Sequence, residues 1–202
     1  MNRDYLINLA FGVTFLNLTV VGLCSLTELS SFIMIVRFGT LICNFLMGLL
    51  LILNNNSVSH ASPLHKPYWL GMIVCNVAIV KLIDSDISVN TSITVVYLVG
   101  FAVVIYSLIS IGKSFAVIPM SSKIKTKLGY SVIRHPMYWG ESVMLGSCVF
   151  SSLWLTISIS VFVLYMYFTV KRINEEEKLL LKTYAYREYC KHTRWRLLPF
   201  VW

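Results

Sequence analysis

The sequence has 202 residues, of which 57% are hydrophobic and only 13% are charged, and its mean hydropathy is +0.74. An ordinary soluble domain is roughly 45–50% apolar and about 25% charged, so this composition excludes that class. Several apolar stretches reach the ~20 residues that a helix needs to cross a bilayer. The chain is therefore predicted to be a polytopic helical membrane protein.

The net charge of +8 lies entirely in the second half of the sequence. Residues 1–112 carry four basic and four acidic side chains, whereas residues 113–202 carry thirteen basic and five acidic ones. In a soluble protein this balance would suggest a nucleic-acid partner. In a membrane protein, basic loops instead mark the cytoplasmic side and lie against anionic headgroups, so we expect membrane lipids and no nucleic acid as partners.

Four apolar segments in the first half predict four membrane helices. They run over about Tyr5–Leu26, Phe32–Leu53, Tyr68–Ile83 and Thr91–Ile111. The first segment has Leu23 where a lipoprotein-type cleavage site would want a small residue before Cys24, so it is predicted to be a retained helix. The five cysteines include no CxxC pair, and neither a disulfide framework nor a metal site is expected.

The second half begins with a polar, basic connection from Gly112 to Pro136 and continues with 33 apolar residues, Tyr138–Val170. One helix of that length would be ~50 Å long, which exceeds a ~30 Å hydrocarbon core. Ser151–Ser152 near the middle predicts a break and hence a hairpin, with arms to about Phe150 and from Leu153 to Val170. The charged tail, Lys171–Trp202, is predicted to be helical to about Cys190.

These elements predict an all-α membrane bundle of four transmembrane helices, a C-terminal helical hairpin (five or six membrane segments) and a cytoplasmic helical tail. We expect one domain, 1–202, in which 1–111 is the four-helix part and 112–202 holds the chemistry. Placing the basic loops in the cytoplasm puts both termini inside. The expected location is a bacterial or archaeal inner membrane or the endoplasmic reticulum.

Polar and charged residues form two clusters, one on each side of the hairpin. The first is Tyr130–Glu141 and the second is Arg172–Pro199. A hairpin returns the chain to the same face of the membrane, so the two clusters are expected to meet. The familiar motifs of soluble enzymes, such as GxGxxG, the P-loop, HExxH and GxSxG, are absent.

The motifs in these clusters are RHPMYWG (134–140), RINEEEKLL (172–180), YREYC (186–190) and RLLPF (196–200). In this order and spacing they resemble the isoprenylcysteine carboxyl methyltransferase family, and more loosely the phospholipid N-methyltransferases. The resemblance covers about Gly112 to Phe200. It implies an integral membrane enzyme that uses S-adenosyl-L-methionine.

The resemblance also implies roles for individual residues. Arg172 would face the methyl acceptor, and the residues expected to take part in catalysis are Arg172, Glu176 and Arg134. The expected cofactor-binding residues are Ile124, Lys125, Tyr130, His135, Pro136, Met137, Tyr138, Gly140, Glu176 and Glu177.

The residue types suit this cofactor, which has a carboxylate, an ammonium, a sulfonium and an adenine ring. Arg134 and His135 can donate hydrogen bonds to a carboxylate. Tyr130 and Tyr138 can stack on adenine or lie near the sulfonium, and Glu176 can hold the ammonium. Methyl transfer is an in-line displacement, so catalysis depends mainly on alignment and on excluding water.

Simpler interpretations exist for several of these residues. Arg172 and Glu176 are four positions apart and can form a surface ion pair. Glu141 is either a functional group within the membrane or an interfacial residue. Glu175 is expected to be solvated. The aromatic residues of the tail are predicted to form an interfacial belt, with lining of the site as the alternative; they are Tyr184, Tyr186, Tyr189 and Trp195.

The leading acceptor by resemblance is the carboxylate of an isoprenylcysteine-like substrate, which is already ionised and needs no general base. The alternative is a phospholipid amine or a thiol. An amine must lose a proton, for which Glu141 is the candidate base. A third interpretation, a non-enzymatic membrane scaffold or transporter, predicts that no cofactor binds.

Overall fold

The computed structural model describes residues 3–24, 31–53, 68–83, 90–112 and 129–202. Within these ranges the chain is helical and contains no strands, apart from two isolated bridges, Ile83–Ser152 and Ile133–Trp195. The predicted all-α class is confirmed. The helices are α1 (Arg3–Cys24), α2 (Ser31–Ile52), α3 (Tyr68–Leu82), α4 (Thr91–Ile111), α5 (Gly129–Val132), α6 (Pro136–Val149), α7 (Leu155–Leu180) and α8 (Tyr184–His192).

Three helices of the described part are long and apolar enough to cross a bilayer. They are α2 over Phe32–Ile52, α4 over Thr91–Ile111 and α7 over Leu155–Leu180. Two shorter apolar helical stretches, Leu9–Val20 and Tyr68–Leu82, accompany them. The chain is thus a membrane protein, while the predicted five or six segments, the cytoplasmic tail and the orientation stay predictions.

The predicted break in the long apolar segment is confirmed. α6 ends at Val149, α7 begins at Leu155, and the Ser152 hydroxyl satisfies polar groups of the turn. Ser152 Oγ accepts from the backbone N–H of Trp154 at 3.1 Å and from Ser158 Oγ at 2.8 Å. With 14 residues, α6 is about 21 Å long, shorter than a ~30 Å hydrocarbon core.

The tail differs from the prediction in two respects: no separate segment begins at Lys171, and a turn interrupts the helix before Cys190. Residues 171–180 are not a separate segment, because α7 continues from the apolar arm to Leu180. The residues that follow the apolar arm include Glu, Lys and Leu, which are strong helix formers, so the helix has no reason to end at Lys171. A turn over residues 181–183 then leads into α8. As a result, Arg172 and Glu176 project from the end of a helix that is anchored in the apolar bundle.

Close backbone contact between α4 and α6 fixes the position of the site. A Cβ atom added at Gly140 would lie 2.7 Å from the Gly100 carbonyl oxygen, and one at Gly100 would lie 2.8 Å from that of Gly140. Small residues let two helices approach in this way. The helices are antiparallel here, since Gly140 also faces Val104, whereas Gly100 faces Met144. The N-terminus of α6 therefore lies beside the C-terminal half of α4.

Gly140→Ala should lower the free energy of unfolding by about 1–3 kcal/mol, the usual cost of forcing extra atoms into a packed contact. The matched control is Gly146→Ala in the same helix. Its new methyl group would lie 3.6 Å from the Phe162 ring, an ordinary contact. Thermal unfolding of the detergent-solubilised protein compares the two variants, and equal stability would contradict the tight crossing.

Candidate active site

The segment that precedes α6 lies alongside the C-terminal segment of the chain. The backbone N–H groups of Arg134 and His135 donate to the carbonyls of Trp195 and Arg196, each at 2.9 Å. The hydroxyl of Tyr189 donates to the carbonyl of Tyr130. These bonds join residues about 60 positions apart in the sequence, so the two polar clusters that flank the hairpin do meet.

Arg134 is held on all sides by the protein. Its Nη1 lies 2.7 Å from Oε1 of Glu177, its Nε donates to the carbonyl of Thr193 at 2.9 Å, and its Nη2 donates to that of Arg194 at 2.7 Å. All three nitrogens of the guanidinium thus have protein partners. This geometry makes Arg134 a brace between α7 and the C-terminal segment, and its predicted catalytic role stays a prediction.

Glu177 is enclosed in a similar way. Its side chain is 2% exposed, with Arg134 at one carboxylate oxygen and Arg196 Nε 2.7 Å from the other. The Tyr186 hydroxyl adds a long contact of 3.4 Å. Two arginines neutralise this buried carboxylate, and each of them contacts one of its oxygens. This geometry indicates that Glu177 stabilises the fold more than it binds a cofactor.

Tyr138, Arg172 and Glu176 form a group of their own, the Tyr138–Arg172–Glu176 cluster, which joins α6 and α7 and faces the interior of the bundle. Tyr138 donates its hydroxyl proton to Oε1 of Glu176 at 2.6 Å, and Nε of Arg172 lies 2.8 Å from the same oxygen. The side chains of Arg172 and Glu176 are only 6% and 16% exposed. The alternative of a surface ion pair is therefore wrong, because both groups are largely buried and bonded to a third residue.

His135 lies between the Tyr138–Arg172–Glu176 cluster and the buried carboxylate of Glu177. Its Nδ1 lies 3.8 Å from Oε2 of Glu176, and its Nε2 lies 3.4 Å from Oε1 of Glu177. The ring packs near Tyr138, with centroids 5.9 Å apart. Nε2 is buried and has no hydrogen-bond partner within the part of the chain that the structure describes. A buried polar nitrogen without a partner is costly, and it can be satisfied by a ligand.

The remaining predicted cofactor residues occupy different positions. Pro136 is buried at the start of α6, where proline suits the first turn. Met137 lines the cavity described below, and Gly140 lies in the α4–α6 crossing, away from the polar clusters. Burial raises the pKa of Tyr130, whose side chain interacts with Ser107 of α4. Ile124 and Lys125 lie outside the described residues.

A cavity of about 550 Å³ extends from the Tyr138–Arg172–Glu176 cluster into the helix bundle. Its walls come from α1, α2, α3, α4, α6 and α7, and most of them are apolar. Tyr138 and Arg172 line it together with Glu141 and Tyr165, while Trp69 and Met47 are among the apolar residues. The geometry thus joins a charged cluster to an apolar chamber large enough for part of a lipid-like molecule.

Sequence reasoning missed several members of the site. Arg196 completes the Glu177 centre, although the sequence pointed only to its motif, RLLPF, and gave it no role in the site. Tyr165 contacts Glu141 and lies in an apolar segment that gives no sign of it. The predicted aromatic belt is partly wrong: Tyr186 and Tyr189 are buried against the site, whereas Tyr184 is 70% exposed. A period of three to four residues in YAYREYC would have indicated that Tyr186 and Tyr189 share one helical face.

Comparison with known proteins agrees with this arrangement. A family model described as phospholipid methyltransferase matches residues 89–187, a range that holds α4 to α7. The range includes Arg134, Tyr138, Arg172, Glu176 and Glu177, and it ends before the site residues at positions 189–196. No curated protein and no solved structure gives a match to the chain. The match confirms the looser of the two resemblances found in the motifs, whereas the isoprenylcysteine carboxyl methyltransferase family itself is not matched.

A family of this kind implies a membrane enzyme that methylates lipid-like substrates, generally with S-adenosylmethionine. The apolar helices, the buried charged cluster and the adjoining cavity are the physical features that such an enzyme needs. Over residues 89–187, the chain is similar to the phospholipid methyltransferase family.

Proposed function

We propose that this protein transfers a methyl group from S-adenosyl-L-methionine to a lipophilic acceptor at the cluster formed by Tyr138, Arg172 and Glu176. One observation carries the proposal: this buried polar cluster stands at the end of an apolar cavity of about 550 Å³. A polar cofactor and an apolar acceptor must meet at such a boundary for the reaction to occur.

The residues present fit the cofactor. The Glu176 side chain is 16% exposed, and its carboxylate can hold the ammonium group. His135 offers a buried Nε2 atom that lies 3.4 Å from Glu177 Oε1 but forms no hydrogen bond with the described residues, and it can donate to the cofactor carboxylate. The Tyr138 ring can lie beside the sulfonium or the adenine. When bound, the cofactor supplies a methyl group on a positively charged sulfur.

The chain's own residues then align the acceptor and exclude water. The apolar cavity can take the hydrophobic part of the acceptor, so that its polar end reaches the charged cluster. A dry site strengthens the electrostatic interactions that orient the reacting groups, and correct alignment of two reactants is itself a large part of catalysis in a displacement reaction. The acceptor would approach laterally from the bilayer, with the site at the cytoplasmic surface.

Two acceptor chemistries are compatible with this site. The motif resemblance favours the carboxylate of an isoprenylcysteine-like molecule, which Arg172 would orient. The family match favours a phospholipid, whose reacting group would be an amine; a thiol is the remaining option. In each case the acceptor is lipophilic, and the site needs no metal for the transfer.

Calorimetry with S-adenosylmethionine tests the proposal, together with transfer of a labelled methyl group to prenylcysteine, phospholipid and thiol acceptors. Glu176→Gln should weaken cofactor binding at least tenfold, because a charge-assisted hydrogen bond contributes roughly 1.5–3 kcal/mol. The control is Glu188→Gln, which changes a carboxylate on α8 whose ion-pair partner among the residues described is Lys191.

Absence of cofactor binding by the native protein would refute the proposal and favour the scaffold or transporter interpretation. Normal cofactor affinity in Glu176→Gln would refute the role of Glu176 alone. A loss of affinity in both Glu176→Gln and Glu188→Gln would mean that the total negative charge of the protein, rather than the position of Glu176, governs cofactor binding.

A further inference from the structure

The middle of the cavity carries two side-chain amides. Asn44 of α2 and Asn76 of α3 both line the cavity, and each lies near the middle of its apolar helix. Neither amide forms a hydrogen bond within the ranges that the structure describes. A polar group in an apolar helix of a membrane protein is costly without a partner, so the described fold alone does not explain the two amides.

Hydroxyl groups in the same bundle are satisfied in another way. Thr40, one turn before Asn44, donates to the carbonyl of Val36 at 2.8 Å, and Thr169 of α7 donates to that of Tyr165 at 2.9 Å. Such bonds to the preceding turn are common for Ser and Thr in apolar helices. Among the described residues the two amides make no such bond, and both face the cavity.

Asn44 lies at about the depth of Glu141. Its neighbour Cys43 is close enough to Glu141 for the two side chains to interact electrostatically. Glu141 lines the same cavity, and its Oε2 accepts a hydrogen bond from the Tyr165 hydroxyl at 3.2 Å. The Asn44 amide and the Glu141 carboxyl group therefore lie at a similar level of the cavity wall.

Asn76 reaches a similar level from α3. This helix runs antiparallel to α7, since Gly71 faces Phe168 while the residue after α3 is bridged to the turn before α7. Asn76 is about 7.5 Å beyond Gly71 along the helix axis, and Tyr165 is about 4.5 Å beyond Phe168 in the same direction. Asn76 and Tyr165 thus lie within one helical turn of each other in depth.

Asn44, Asn76, Glu141 and Tyr165 together form a polar collar in the middle of the cavity. Each amide offers two N–H donors and a carbonyl acceptor, and Glu141 has an oxygen that accepts whether or not the group is protonated. A group that both donates and accepts, such as a hydroxyl or an amide, matches these partners. An ester or an ether only accepts, and a hydrocarbon chain does neither.

The three cations that line the cavity lie outside the polar collar. Counted along the helices, Lys81 is about 7.5 Å beyond Asn76 and Arg37 is about 10 Å beyond Asn44, both towards the hairpin turn. Arg172 lies at the other end, where it pairs with a carboxylate of its own helix. Because the cations mark the two ends, the polar collar between them suits an uncharged group.

We propose that the polar collar binds a hydroxyl or amide group within the apolar part of the ligand. The methyl acceptor is accordingly a lipophilic molecule with a hydroxylated or amide-linked chain. This inference deepens the proposed function, and it rests on that function only for identifying the bound molecule as the acceptor. It disfavours an isoprenyl chain, which has no such group, and a chain with ester or ether links alone.

The depth of the polar collar predicts where this group lies in the ligand. The cations at the hairpin end are about 7–10 Å away along the helices, and Arg172 is about 10 Å beyond Tyr165 on α7. An extended chain advances about 1.2 Å per bond, so the group lies roughly six to eight bonds from a charged end that these cations hold. A carboxylate with a hydroxyl at carbon 7 meets this condition from either end of the cavity.

The test uses the full-length protein in phosphatidylcholine nanodiscs, without cofactor and against empty nanodiscs. The probes are octadecanoate and its 2-hydroxy, 7-hydroxy and 12-hydroxy derivatives, which share one headgroup and one chain length. Native protein should bind the 7-hydroxy probe about three- to tenfold more tightly than octadecanoate, as expected for one net hydrogen bond. The other two derivatives place the hydroxyl away from the polar collar and should show no gain.

Asn44→Leu and Asn76→Leu should lose most of this gain and keep the native affinity for octadecanoate. Both variants should be at least as stable to thermal unfolding as the native protein, because leucine removes a polar group that the described fold leaves unpaired. The matched control is Asn17→Leu, since Asn17 is exposed on α1 and does not line the cavity. It should bind all four probes as the native protein does.

No gain for the 7-hydroxy probe in the native protein overturns the inference, whether or not the variants fold. A gain that both leucine variants retain also overturns it. S-adenosylmethionine affinity is measured on the same preparations. Intact cofactor binding alongside either of these results leaves the proposed function standing, whereas absent cofactor binding refutes that function and leaves the probe preference as a separate result.

Discussion

Arg134→Ala should lower the free energy of unfolding by about 3–5 kcal/mol, the cost of removing one partner from a buried ion pair. The substitution leaves Glu177, which is 2% exposed, with Arg196 alone. It also takes away the donors that the carbonyls of Thr193 and Arg194 now use. Since these bonds attach the C-terminal segment to α7, the tail should detach first.

Thermal or denaturant unfolding in detergent measures this effect, and limited proteolysis reports on the tail. Arg187→Ala is the matched control, because Arg187 is an exposed arginine on α8 whose guanidinium lies over the Tyr184 ring at 6.0 Å. A double variant, Arg134→Ala with Glu177→Gln, should lose less stability than the sum of the two single variants, because the two side chains share one ion pair. A stable Arg134→Ala variant without turnover would instead support the catalytic role that the motif resemblance implies.

The sequence is informative where local patterns decide the structure. The excess length of the apolar segment and Ser151–Ser152 predict the hairpin, and α4 runs over Thr91–Ile111 as predicted. The hairpin in turn predicts that the polar clusters meet. These inferences succeed because hydrophobic length and turn residues act locally and do not depend on distant contacts.

The hydrogen-bond partners of the site residues cannot be predicted from the sequence in the same way. Arg134 bonds to the carbonyls of Thr193 and Arg194, and any residue type provides a carbonyl, so no side-chain pattern marks these positions. Gly140 belongs to a motif that implies cofactor contact, yet its lack of a side chain serves the crossing with Gly100. Only the three-dimensional arrangement separates the arginine that braces the fold from the one that faces the cavity.

That second arginine provides the other large expected effect. Arg172→Lys should reduce methyl transfer roughly 100-fold, the loss that a misplaced reacting group can produce, and leave cofactor affinity unchanged. Lysine keeps the charge but not the planar guanidinium, which now contacts both Glu176 Oε1 and the Tyr138 hydroxyl at the cavity end. Turnover and S-adenosylmethionine binding are measured on the same preparation.

Lys171→Ala is the control one residue earlier on α7. Its ammonium lies over the Tyr167 ring at 5.4 Å, on the exposed side of the helix, and its loss should alter neither measurement. Equal losses of turnover and cofactor affinity in Arg172→Lys would assign Arg172 to the cofactor rather than to the acceptor. A loss confined to turnover, by contrast, would assign different roles to the two residues. Glu176 would then hold the cofactor, and Arg172 would orient the acceptor that the cavity binds.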